Sequence, residues 1–94
     1  MLQDEQLPLD RALAQAVVGS IPAAWSELEL RATKSSVSLV RGGAVAWATS
    51  DVKNAIAALF ALFERHGHPL VGLTYRFTRH DDGGWSFVGE YAYA

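Results

Sequence analysis

The residues of this 94-residue chain that could carry chemistry are three histidines, His66, His68 and His80, an aspartate pair, Asp81 and Asp82, scattered serines, and two double glycines. A metal site needs ligands held on one face at a fixed spacing. His66 and His68 straddle Gly67, a residue that should end a helix, so neither a helical pair nor a strand pair turns both rings toward one ion. The plainer reading is that His66 finishes a helix near its negative end while His68 and His80 lie in loops. Asp81 and Asp82 could be a general acid and base. They precede Gly83-Gly84, however, and the tip of a hairpin is solvated, so turn chemistry accounts for them. Ser20, Ser26, Ser35, Ser36, Ser38, Ser50 and Ser86 stand in no G-x-S-x-G elbow. Neither double glycine has the lysine and following helix of a phosphate cradle. The expectation is a protein with no catalytic group, no metal and no cofactor, hence not an enzyme.

Composition narrows the alternatives. Half of the chain is hydrophobic and about a fifth charged, the balance of a folded protein, and 94 residues suit one domain. A formal net charge of −2 gives no basic footprint for a phosphate backbone, so no nucleic-acid partner is expected. Cysteine is absent, which removes disulfides, thiolate metal sites and cysteine nucleophiles together. The opening MLQDEQLPLD is acidic where a signal peptide is basic. The longest near-apolar run, Ala55 to Phe63, is far shorter than the ~20 residues of a membrane span. A cytoplasmic protein with no membrane partner is expected.

Positioning falls to the stretch Asp51 to Gly67. Val52, Ile56, Leu59, Phe60 and Phe63 recur on one face of a 3.6-residue period, which predicts the core helix. Ser50 is placed to cap its first turn, Asp51 and Arg65 suit the two dipole ends, and Gly67 with Pro69 stops it. An earlier helix carries Leu9, Leu13, Ala16 and Val17, with Pro8 in its first turn and Gly19 and Pro22 closing it. Between the helices, Leu28, Leu30 and Ala32 alternate with polar neighbours as a first strand. Lys34-Ser35 turns into a second strand with Val37, Leu39 and Arg41. Gly42 and Gly43 supply positive φ angles for a hairpin into a third, Ala44 to Thr49. After the core helix come strands at Val71 to Thr78 and Trp85 to Tyr93, joined at Asp81 to Gly84. The expected class is α+β: a single domain, α-β-β-β-α-β-β, with an antiparallel sheet and two helices on one face.

Register follows from which side chains must be buried. Two-residue meander turns set Leu30 opposite Leu39, Ala32 opposite Val37 and Leu39 opposite Ala46, giving an apolar face of Leu28, Leu30, Ala32, Val37, Leu39, Ala44, Ala46 and Ala48. An odd loop of three or five residues in the last hairpin keeps Leu73, Tyr75 and Phe77 on the same side as Trp85, Phe87, Tyr91 and Tyr93. Thr74, Arg76, Thr78, Ser86 and Glu90 then point away. The opposite face of the meander carries Val40, Val45 and Trp47, bordered by Glu27, Glu29, Arg31 and Ser38. An aromatic with a charged rim has the make-up of a protein-binding surface. The alternative is a register one residue off, with Trp47 against the helices.

Three stretches carry a resemblance. Ile21 to Trp25 (IPAAW), Ala58 to Pro69 (ALFALFERHGHP), and Leu73 to Ala94, with its aspartate-glycine turn and closing Tyr91-x-Tyr93, are similar to the YezG-like immunity proteins. The chain departs from that pattern in a short link, Ala48-Thr49-Ser50, before the core helix, and in Leu70 and Val71 where a tryptophan often stands. The resemblance implies a bacterial antitoxin that binds and silences a cognate protein toxin encoded next to it. In this reading the chain is a monomer, and Trp47, Val45, Val40, Glu27, Glu29 and Arg31 meet the partner. The element order is also that of class I type III secretion chaperones, acidic dimers that bind effector segments. Such a dimer could use the core helix at Ala57, Ala58 and Ala61.

Overall fold

In the computed structural model, which describes residues 2–22 and 24–94, the core helix is α2, Ser50–Arg65, and every residue of its predicted stripe is buried. Its cap is displaced by one position from the sequence expectation. Thr49, in extended backbone, accepts from the Val52 amide at 3.3 Å, so Thr49 and not Ser50 satisfies the first turn. At the other end the His68 amide bonds the Phe63 carbonyl (2.9 Å) and the Gly67 amide the Glu64 carbonyl (3.1 Å). With Gly67 at φ 78°, this is a Schellman motif, and a side chain at that position would be strained.

The first helix, α1, runs over Leu2–Ser20, a turn and more earlier than expected, so that Pro8 lies inside it and not in its first turn. Proline there leaves the carbonyl four residues back without its helical donor. The early turns are held by contacts no helical pattern reveals: Glu5 Oε2 lies 2.6 Å from His66 Nε2 at the end of α2, and Gln6 reaches Tyr91 near the end of the chain. Asp4 and Glu5 also sit at the dipole's positive end.

The strands are β1 (Glu27–Ala32), β2 (Val37–Arg41), β3 (Ala44–Ala46), β4 (Leu70–Arg79) and β5 (Trp85–Tyr93), in the antiparallel order β3-β2-β1-β4-β5. The predicted α-β-β-β-α-β-β order and the meander register both hold: Leu30 faces Leu39, Ala32 faces Val37, and Leu39 faces Ala46. The last hairpin has an odd connection, His80 to Gly84, and pairs Phe77 with Phe87 and Tyr75 with Gly89. Three details differ. Only Gly42 of the Gly42-Gly43 turn has positive φ (56°), which a type II′ turn requires at its first centre alone. Ala44, expected on the buried face, is exposed near the sheet's edge. β3 stops at Ala46, so Trp47 stands beyond the strand.

Both helices lie over one face of the sheet. Leu13 and Val17 of α1 and the α2 stripe share a core with Leu28, Leu30, Leu39, Leu73, Tyr75 and Phe77. Trp25 joins that core at 7% exposure, its amide bonded to the Pro22 carbonyl at 3.0 Å. In the IPAAW stretch Ala23 lies outside the described residues. Among the described residues no helix is long and apolar enough to cross a membrane.

Candidate functional site

Strand order decides what shares the open face. Because β4 returns beside β1, the pairings Val45–Val40–Glu29–Arg76–Val88 form one row across all five strands, an ionic centre with aliphatic ends. Beside it runs Ser38–Arg31–Thr74–Glu90. Helices cover the opposite face, which leaves Val45 69% and Val88 66% exposed.

The ionic centre is a chain of four groups. Arg31 places Nε and Nη2 on Glu29 Oε2 at 2.9 and 2.7 Å. Arg76 Nε meets Glu29 Oε1 at 3.1 Å, and Arg76 Nη1 lies 3.4 Å from Glu90. These bonds, first from Arg31 and then from Arg76, hold the Glu29 carboxyl below the usual carboxylate range. Glu27, Glu29, Arg31, Val40, Arg76 and Thr78 bound a shallow hollow of about 420 Å³ on this face. Glu27 forms no ion pair with any described residue, so its charge is open to a partner.

Of the six residues expected to meet a partner, the sheet brings Val40, Val45, Glu29 and Arg31 onto adjoining rows, with Glu27 at the rim of the hollow. Trp47 is not among the residues bounding the hollow. It stands past the end of β3 at 92% exposure, which excludes the slipped register that would have buried it. Arg76, Val88 and Glu90 were not expected in the site. Alternation already placed Arg76 and Glu90 on the outer side, but only the β1–β4 pairing sets Arg76 beside Glu29.

The other groups with chemical potential are used locally. His66 pairs with Glu5, His80 Nε2 lies 3.0 Å from Ser86 Oγ, and His68 stands edge-on to Tyr93. Asp82 accepts from the Gly84 amide at 2.8 Å, which is turn chemistry. Among the described residues no three His, Asp or Glu side chains gather as metal ligands would.

Under the helices lies a polar ring that the sequence did not signal. The Tyr75 hydroxyl donates to Asp10 Oδ1 (2.5 Å) and is 3.0 Å from the Tyr91 hydroxyl, while Gln6 Nε2 donates to Asp10 Oδ2 (3.2 Å) and to Tyr91 (2.7 Å). With Tyr75 committed to Asp10, Tyr91 donates to Tyr75, and the ring closes with each donor used. Burial raises the Asp10 carboxyl and both phenols above their ordinary values. The ring ties α1 to β4 and β5, with every polar group in it partnered. Its place is structural.

No protein-family model matches the chain, and no curated protein does.

Proposed function

We propose that the chain is an immunity protein that binds a bacterial toxin domain by direct contact, through the β3 side of the open face, and so neutralises it. The observation that carries the binding surface is Trp47, 92% exposed beside a strand whose Val45 is 69% exposed. Large apolar groups left in water next to a charged border are the make-up of an interface centre. The toxin as partner is supported by the three stretches that resemble YezG-like immunity proteins, and Trp25, in the first of them, has a clear structural use. The reading places the chain in the cytoplasm, assigns no catalytic residue, and leaves the Arg31–Glu29–Arg76–Glu90 chain to set orientation and association rate. The test is co-expression with the product of the neighbouring reading frame. Rescue of growth and a stable complex support the reading, and a neighbour that is harmless alone and does not bind contradicts it.

One observation favours the chaperone reading: Ala57 and Ala61 of α2 are exposed and bound a groove with Lys53 and Glu64. A chaperone dimer would cover that helix. Ala61→Cys should then cross-link two copies, whereas in an immunity protein it should not.

A further inference from the structure

We propose that two copies of this chain pair through β5, antiparallel about a two-fold axis at Val88, joining two five-stranded sheets into one of ten. The two edges of the sheet are unlike. β3 is three residues long and too short to template a neighbour. β5 is nine residues long, and its sequence WSFVGEYAY has no proline, no lysine and a single glutamate. Proteins that keep a sheet edge free blunt it with such residues, with bulges or with short strands. Here the only irregularity in the β4–β5 register lies between Leu70 and Gly72, at the far end, so Trp85 to Ala92 runs regularly.

The hairpin turn fixes which main-chain groups are free. The His80 amide bonds the Gly84 carbonyl at 2.7 Å, so these two form a hydrogen-bonded pair. Alternation along the ladder makes Thr78–Ser86, Arg76–Val88 and Thr74–Glu90 the further bonded pairs. The amides and carbonyls of Trp85, Phe87, Gly89 and Tyr91 therefore point outward from the edge.

Self-pairing must set same-face residues opposite one another, which limits the axis to a few positions. An axis at Glu90 opposes two carboxylates, and one at Gly89 sets Val88 against a carboxylate. An axis at Val88 puts the exposed valine on its own copy at a non-hydrogen-bonded site, where side chains are closest. It also sets Glu90 against the second copy's Ser86 and Phe87 against its Gly89, which has no side chain to collide. All four outward residues then find bonding partners: Trp85 with Tyr91, Phe87 with Gly89, and the reverse. The expectation of a monomer rests on no knowledge of strand order, and strand order is what exposes β5. The β3 side, with Val45 and Trp47, stays open in both copies, so the pairing leaves the proposed anchor uncovered.

The chain has no native cysteine, so Val88→Cys supplies a single thiol. Opposed non-bonded residues hold their Cβ atoms about 4.5–5.5 Å apart, close enough for a disulfide after a small adjustment. Wild-type protein should sediment at twice its 10.2 kDa chain mass, and oxidised Val88→Cys should be recovered as a covalent dimer. Ser86→Cys and Glu90→Cys should cross-link when mixed and little when alone. Val88→Lys, which sets two ammonium groups face to face, should yield a monomer with an unchanged circular dichroism spectrum. A wild-type monomer overturns the proposal, as does a dimer that survives Val88→Lys or that cross-links at Ala61→Cys and not at Val88→Cys.

Discussion

Arg76 of β4 bonds Glu29 of β1 at 3.1 Å across a separation of 47 residues, which makes the connection through α2 the step that assembles the ionic centre of the open face. Arg31, two residues from Glu29 on the same strand, adds a closer contact to the other carboxylate oxygen. Glu29 should therefore titrate below its ordinary value of 4.5, with Arg31 the stronger cause. Side-chain carboxyl NMR checks this: Arg31→Ala should raise the Glu29 pKa more than Arg76→Ala does. The reverse ranking contradicts the geometry. A depressed carboxylate contributes stability above its unfolded pKa and loses it as pH falls through the folded one. Because the pairs are exposed and screened by solvent, either substitution should leave the denaturation midpoint nearly unchanged.

Tyr75→Phe leaves Asp10 Oδ1 without its donor and Tyr91 without its acceptor; both are half-buried, and urea denaturation should show a loss of about 1 kcal/mol. Asp10 behaves oppositely to Glu29. Its folded pKa is raised above its ordinary 3.8, so its ionisation costs stability as pH rises through that raised value. As pH rises from 3.8 through that raised value, wild type should lose stability relative to Asp10→Asn, and a constant difference between the two would contradict the burial argument.

Gly89 is glycine because Tyr75 fills the space above it. A Cβ there would meet the Tyr75 ring at 2.3 Å and the Tyr91 hydroxyl at 2.8 Å. Gly89→Ala should cost about 1–3 kcal/mol by overpacking, read from the same denaturation curves. A neutral result would mean that the ring can move aside.

Trp25 anchors the passage from α1 to β1. Trp25→Ala should cost about 3–5 kcal/mol, a large share of the stability of so small a domain. An unchanged denaturation midpoint would contradict its buried placement.

How far the sequence could be read differs from residue to residue. The Val52-to-Phe63 stripe, the alternating strands and the parity of the last hairpin were legible because each is a local period tied to one buried face. Register followed, since a slip would have exposed Leu30 and Leu39. The early turns of α1 were not legible: Pro8 argues locally against them, and the groups that hold them, His66 and Tyr91, are far away in the chain. The same reason hid the Asp10–Tyr75–Tyr91 ring. At the site, Val40, Val45, Glu29 and Arg31 could be placed by alternation, whereas Arg76 and the exposed β5 edge required strand order, which no local pattern contains. Trp47 was read as a strand residue because alternation continues one step further than the hydrogen bonding does.

The proposed toxin-binding surface is the β3 side of the open face, with Trp47 as its anchor. The decisive measurement is titration calorimetry of wild type and Trp47→Ala against the proposed toxin partner, with circular dichroism as the control for folding. Trp47→Ala should fold as wild type, since the side chain is 92% exposed, and bind at least ~30-fold more weakly, the equivalent of about 2 kcal/mol. A folded Trp47→Ala that binds as tightly as wild type would contradict that placement of the interface.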